Sequence, residues 1–386
     1  MQWVQGGDIR NDKESFPVLF PIVDSLNHRP LTKITWSPSS DSMALITDAD
    51  LPANVECFNN YGAKGNEERT CPFPQTPEAR LLTPIVLMGY GFCLPDNPTD
   101  TVTLRFSPPL TPPQQSVRDH QPHPISPGIF YLRPSPQSPL FPHSLTSLFR
   151  LLSASPVELP YLQSNPATPQ VSPRNEIAAY THLFLAMQRK LHGLAAELPE
   201  PQNSKQRAAQ IYRDGQIAIL RASSQEALDT IAATIEAAQT VTFPDVLADE
   251  KFKTAVEACF ETSVQEELEE ADQEDVIFVL FLCWKYLHSE EPEWRAWFEA
   301  CEKAYGKPGE KELEEEEGVR DVFEAVFPDA AEVAEEVFGG EGWGVKLLGW
   351  SMMLFREEGV NTVLADGDAW FGVCLDPVGK ATTRDA

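Results

Sequence analysis

Sixteen of the chain's 34 prolines fall within the 67 residues from Ser107 to Pro173, in runs such as SPPLTPPQQ and RPSPQSP. Each proline fixes φ at about −65° and removes a backbone donor, so neither a sheet nor a long helix runs unbroken through such a stretch. The chain therefore reads as three parts, and its 386 residues suffice for two or three domains with a substantial buried core.

The part before the prolines carries short strand signals. FPVLFPIV (Phe16 to Val23), KITW (Lys33 to Trp36), SMALIT (Ser42 to Thr47), VECFNNY (Val55 to Tyr61) and DTVTLRF (Asp100 to Phe106) are rich in β-branched and aromatic residues and are separated by Pro, Asn, Asp and Gly. They predict a small, irregular β domain over residues 1–107. Residues 108–127 are expected to form a proline-rich loop. SLTSLFRLL (Ser144 to Leu152) predicts a helix with a Ser cap.

Beyond Arg174 the apolar period changes from two to three or four. Ile177, Tyr180, Phe184, Met187, Leu191, Leu194 and Leu198 predict a helix of about six turns. Further helices are expected over Lys205 to Ala222, Ser224 to Ala238, Asp245 to Phe260, Glu274 to Leu287, Glu293 to Tyr305, Val319 to Val326 and Ala330 to Phe338, giving an all-α domain over 128–345. GWSMMLFREEG (Gly349 to Gly359) reads as a packing helix in a C-terminal segment, 346–386. The fold class expected is α+β.

Lys and Arg total 30 against 58 Asp and Glu, a formal charge of −28. Such a balance argues against nucleic acid or an anionic membrane as the main partner and points toward a basic one. VIFVLFLCW (Val276 to Trp284) is the longest apolar block and reads as a buried helix. The runs EELEEADQED and EKELEEEE read as solvated faces. Seven cysteines with no CxxC pair fit reduced thiols, so a cytoplasmic or nuclear location is expected. His120 and His123, an HxxH without helix or carboxylate support, read as solvated rather than metal-bound.

Chemistry concentrates in the β part. FPIVDSLNHRP (Phe20 to Pro30) runs an apolar strand into Asp24, Asn27 and His28. NNYG (Asn59 to Gly62) and GYGF (Gly89 to Phe92) set two tyrosines and a phenylalanine beside glycines that let a ligand approach the backbone. Taken singly, Asn27-His28 is a turn and each tyrosine a half-buried core residue. In series, DSLNHRP, NNYG, KGNEE and GYGFCLPDNPTD resemble the C-terminal half of a SET domain of the Rubisco large-subunit and ribosomal-protein lysine methyltransferase class. That resemblance implies part of a knotted β-rich SET core followed by an all-α substrate-binding domain.

It also implies S-adenosylmethionine as cofactor and a lysine-containing, basic protein as substrate, with ribosomal proteins the leading class. Asn27 and His28 would contact the methionine end of the cofactor, with Asp24, Gly91 and Phe92 also on the cofactor side. Tyr61 would orient the transferring methyl group and the lysine amine, and Tyr90 would line the lysine channel. The chemistry agrees. A lysine amine with a pKa of about 10.4 must lose its proton to act as nucleophile, and an aromatic channel that removes water favours the neutral form. The alternative function is a catalytically inactive, SET-derived interaction module whose acidic helical part binds a basic partner.

Two departures qualify the resemblance. Tyr61 and Tyr90 stand 29 positions apart, whereas the family form approximates YGxKGNEELLxGYGF. Collapsing residues 69–86 to one Leu restores that form, an excess of seventeen residues or 51 nucleotides in frame. Codons compatible with Arg69-Thr70 and Ile85-Val86 supply donor-like and acceptor-like strings whose joining encodes leucine. The reading taken is a translated intron, with a genuine surface loop as the alternative. Second, the family's upstream Gly-x-Gly segment has no counterpart before DSLNHRP, so the chain is expected to be an N-terminally incomplete piece.

Overall fold

In the computed structural model, residues 3–5, 15–17, 23–39, 42–48, 50–62, 65–66, 92–120, 128–134, 139–165, 170–194, 198–310 and 316–379 are described. The chain divides into two compact units. The first comprises residues 1–103, 131–140 and 194–219, and the second comprises 104–130, 141–193 and 220–386. The fold is α+β, with small sheets and many helices.

In the first unit, β1 (Trp3–Gln5) pairs antiparallel with β2 (Ser15–Pro17). The hairpin of β3 (Ile34–Pro38) and β4 (Met43–Thr47) sets Ile34 opposite Thr47 and Pro38 opposite Met43. Its turn closes through Ser39 N donating to Ser42 O at 2.8 Å. Burial alternates along β4, as the two-residue strand period requires. VECFNNY does not form a strand; only Asn59 in it joins a bridge. The next strands are β5 (Val102–Arg105) and β6 (Ile129–Leu132), which form a two-stranded sheet.

The proline-rich stretch is not loop throughout. It contains α1 (Pro112–Asp119), whose prolines occupy the first turn, where no intrahelical donor is needed. Gln114 Oε1 accepts Thr111 N at 3.0 Å, and Val117 is buried. Helix α2 (His143–Leu152) begins a residue earlier than expected, with Pro142 rather than a serine at its cap. Helix α3 (Leu159–Ser164) follows.

Helix α4 (Pro173–Leu194) buries Ile177, Leu183 and Met187. It ends before Leu198, which is exposed. The two helices expected over 205–238 are a single helix, α5 (Ser204–Ala237). Ser223, the gap between the two expected helices, and Ser224, the expected start of the second, are buried within it, and Gln188 Nε2 donates to Ser224 Oγ at 3.3 Å.

The helix expected over 245–260 is instead two, α6 (Phe243–Ala248) and α7 (Glu250–Phe260). Asp249 separates them by adopting extended backbone and accepting Phe252 N. Helix α8 (Gln265–Glu270) turns the acidic run outward around buried Leu268. Then come α9 (Glu274–His288), α10 (Pro292–Tyr305), α11 (Glu316–Val333), α12 (Glu335–Phe338) and α13 (Val345–Glu358).

Rings from these helices interlock at the centre of the second unit. Phe252 meets Phe281 edge-on at 5.1 Å between centroids, and Trp294 stacks on Phe298 at 5.6 Å. The unit is not all-α. Strands β7 (Thr240–Val241), β8 (Gly359–Val363) and β9 (Ala369–Cys374) form an antiparallel sheet in the order β7-β9-β8. Phe371 of β9 meets Phe278 of α9 at 5.4 Å, which anchors the sheet to the core. Among the described residues no helix is long and apolar enough to cross a membrane, and six cysteines are free thiols.

A buried ionic cluster ties α4 to α13. Arg174 donates to Ser153 O (2.9 Å), Glu158 (3.2 Å) and Glu357 O (2.6 Å), and its Nε lies 3.3 Å from Glu358. Tyr305 donates to Glu358 at 2.6 Å. Burial, the largest influence, pushes the Glu358 carboxyl up to about 7 although Arg174 pulls it down. The folded state therefore holds this proton more tightly than the unfolded chain, and stability falls as pH rises from the ordinary glutamate value through about 7. Glu358→Gln is expected to flatten that fall and to gain on wild type as pH rises across the window, measured by thermal denaturation between about pH 4.5 and 8.

Candidate active site

Two segments of the first unit, distant in sequence, are joined at His28. Its backbone forms a parallel bridge with Asn59. Asn59 N donates to Asn27 O at 2.8 Å, and Arg29 N donates to Asn59 O at 3.1 Å. Pro30 and Leu31, the latter at φ 61°, turn the chain away. The asparagines after Phe58 hold the second segment in shape. Asn59 Oδ1 accepts Asn60 N at 2.7 Å, Asn60 Nδ2 donates to Thr32 O at 3.0 Å, and Asn60 Oδ1 accepts Gly62 N at 3.0 Å. Gly62, at φ 98°, takes a conformation that suits glycine.

Side chains complete the junction. Tyr61 N donates to His28 Nδ1 at 3.1 Å, and Tyr61 OH donates to Leu26 O at 2.6 Å. The two rings stack at 5.0 Å between centroids, 16° from parallel. An Nδ1 that accepts an amide proton places the neutral imidazole's proton on Nε2. His28 is buried, and Nε2 has no hydrogen-bond partner among the described residues. Burial lowers the His28 pKa, with the Asn59 backbone opposing.

The predicted site residues are distributed as follows. His28 and Tyr61 are in contact. Asn27 adjoins them through its carbonyl, but its side chain is exposed and Nδ2 donates to Glu56 Oε1 at 2.6 Å. Asp24 is exposed in the 3-10 turn Val23–Ser25. Phe92 is half-buried. Tyr90 and Gly91, with the proposed insertion at 69–86, lie outside the described residues. A cavity of about 370 Å³ is lined by Arg29, Leu31, Lys33, Asp48, Leu51 and Phe58 among others; Arg29 covers the Phe58 ring at 4.5 Å. His28 and Tyr61 do not line it.

A second junction was not singled out from sequence. Asn66, 1% exposed, bonds on every side. Its N donates to Asp100 Oδ1 at 2.8 Å, and its Nδ2 donates to Asp100 Oδ2 and to Leu94 O, each at 3.0 Å. Its Oδ1 accepts Leu94 N at 3.1 Å. This asparagine ties KGNEE to CLPDNPTD. The signal available in sequence was a Gly-Asn pair and an Asp at the start of a strand. Neighbouring Cys93 is pushed up to about 11 by burial and by the Asp100 charge.

No protein-family model matches the chain. Three curated proteins are similar to it. Ribosomal lysine N-methyltransferase set10 of Schizosaccharomyces pombe is 36% identical over 231 residues, 56% of this chain and 39% of that protein. Ribosomal lysine N-methyltransferase 1 of Saccharomyces cerevisiae is 37% identical over 101 residues, 26% and 14% of the two chains. SET domain-containing protein 8 of Schizosaccharomyces pombe is 35% identical over 88 residues, 22% and 16%. The chain spans less than half the length of each relative. These similarities support a relationship to SET-domain lysine methyltransferases and do not single out the Rubisco branch.

Asn66→Ala removes the side-chain partner of buried Asp100 Oδ2 and of half-buried Leu94 N and O and is expected to cost about 2–3 kcal/mol, read by denaturant unfolding. Acidification has a defined sign at His28: its lowered pKa means stability present above the ordinary imidazole value is lost as pH falls through the folded value. Hydrogen exchange of the Tyr61 amide is expected to quicken over that fall and to lose this pH response in His28→Asn.

Proposed function

We propose that this chain carries the catalytic end of an S-adenosylmethionine-dependent protein-lysine N-methyltransferase acting on a basic, lysine-exposing protein. Two relatives are named ribosomal lysine N-methyltransferases, which makes a ribosomal protein, met in the cytoplasm or nucleus, the leading substrate. The observation that carries this reading is the buried His28 Nε2 without a described partner, set beside the Tyr61 ring. A buried donor of that kind fits an acceptor on a bound molecule, because leaving it unmet is costly.

When bound, S-adenosylmethionine supplies an electrophilic methyl group on a sulfonium. Asn27 and His28 would hold its methionine end, with Asp24, Gly91 and Phe92 on the same side. Tyr61 donates its proton to Leu26 O, so its phenol oxygen acts as an acceptor toward its other neighbours and would orient the incoming lysine amine. Tyr90 would line the lysine channel. Alignment and exclusion of water would do most of the work, since an amine already neutral needs no further base to attack a sulfonium methyl.

Isothermal titration of the chain with S-adenosylmethionine tests this. Saturable binding is expected, weakened about tenfold, or ~1.4 kcal/mol, in His28→Ala. Tyr61→Phe is expected to slow methyl transfer to a lysine peptide with little loss of cofactor affinity. Absence of binding would favour the interaction-module reading, in which the excess acidic charge of the chain recruits a basic partner without chemistry.

A further inference from the structure

The Asp100 carboxylate that holds Asn66 is itself flanked by two glycines. On one side is Gly65, where a β-carbon would lie 3.0 Å from Thr99 O and 3.3 Å from Asp100 Oδ1. On the other is Gly215 of α5, where a β-carbon would lie 2.9 Å from Asp100 Oδ2. The next helix residue, Gln216, is 2% exposed and donates its Nε2 to Thr101 O at 2.8 Å. Gly65, Asn66, Asp100, Thr101, Gly215 and Gln216 all belong to the first unit.

Gly215 is the only glycine in the 34 residues of α5. Glycine is the poorest helix former after proline, so its place there calls for a close approach. Asp100 has little room to yield. Oδ1 accepts Asn66 N at 2.8 Å and Thr101 N at 3.0 Å, Oδ2 accepts Asn66 Nδ2 at 3.0 Å, and the residue is 3% exposed. A methyl group at position 215 must therefore displace either the helix or the carboxylate. Displacing the carboxylate opens the bonds that fix Asn66.

We propose that Gly215 and Gln216 are positioning residues of the candidate active site. They let α5 seat against Asp100 and Thr101, and Asp100 in turn fixes Asn66, five residues after Tyr61. The steric part of this inference is independent of the reaction; its consequence for methyl transfer rests on the proposed function. In that reading, moving Asn66 loosens the far end of the segment that aims the Tyr61 hydroxyl, and small misplacements of aligning groups are costly in rate.

Hydrogen exchange read by mass spectrometry on the full chain decides the matter. Gly193→Ala is the control, because that α4 glycine has nothing within 4 Å of an added β-carbon. It is expected to leave exchange in the first unit unchanged and to raise the melting temperature slightly. Gly215→Ala, the same change in the same kind of element, is expected to quicken exchange about tenfold over residues 55–66 and 92–106. In an Asp100→Ala background, where the carboxylate is gone, Gly215→Ala is expected to add nothing further.

If the wild-type chain methylates a lysine peptide, Gly215→Ala is expected to lower kcat about tenfold with KM for the peptide unchanged. Gly215→Ala behaving like Gly193→Ala, with these segments still protected, would overturn the proposal. A wild-type chain that transfers no methyl group would remove the proposed activity, while the exchange pattern would still decide the positioning role.

Discussion

A buried imidazole that accepts a backbone proton is the constraint on which the first unit turns. Tyr61 N donates to His28 Nδ1, so the ring must be neutral with its proton on Nε2. That one bond fixes the tautomer, the stacking of the two rings and the register of the bridge between His28 and Asn59. Besides it, residues 26–29 and 58–62 share two main-chain hydrogen bonds, the bond from Tyr61 OH to Leu26 O and the contact of Arg29 with the Phe58 ring. The same tautomer leaves Nε2 a buried donor with no hydrogen-bond partner among the described residues.

The two units solve the problem of buried polarity differently. In the first, single polar residues carry out many-sided bonding: Asn66 uses its amide N–H and its whole side-chain amide, and Asp100 uses both oxygens. Precision there comes from hydrogen-bond geometry and from glycines that make room. In the second, a large aromatic core supplies cohesion, and the polar cluster around Arg174 is charged, with two carboxylates sharing one guanidinium. Burial raises the Glu358 carboxyl to about 7, and the neighbouring Glu158 charge adds to that rise against the pull of Arg174.

What the sequence made legible was local. The Asn-His corner and the first tyrosine were found because motif and chemistry coincide within a few residues, and α9 and α10 because their apolar spacing is strong. Helix ends were less legible: Ser223 looks like a break until it is seen buried inside α5, and Asp249 looks like helix interior until its cap to Phe252 is seen. In the sheet of β7, β8 and β9, β8 and β9 form a local hairpin around Asp366 and Gly367 whose signal was overlooked, whereas the pairing of Thr240 with Cys374 joins distant segments that no local pattern announces. Gly215 was illegible for the same reason, since its neighbour Gln216 reaches a carbonyl 115 residues away. The proline-rich stretch misled in the other direction: proline forbids helix interiors but begins helices well, and α1 uses it so.

Nitrogen-15 NMR of the His28 ring is the most direct measurement of the central claim. A neutral ring with Nδ1 unprotonated and Nε2 carrying the proton is expected in the free chain, with the Nε2 signal moving on titration with S-adenosylmethionine. A ring protonated on Nδ1, or an Nε2 signal indifferent to saturating cofactor, would contradict it.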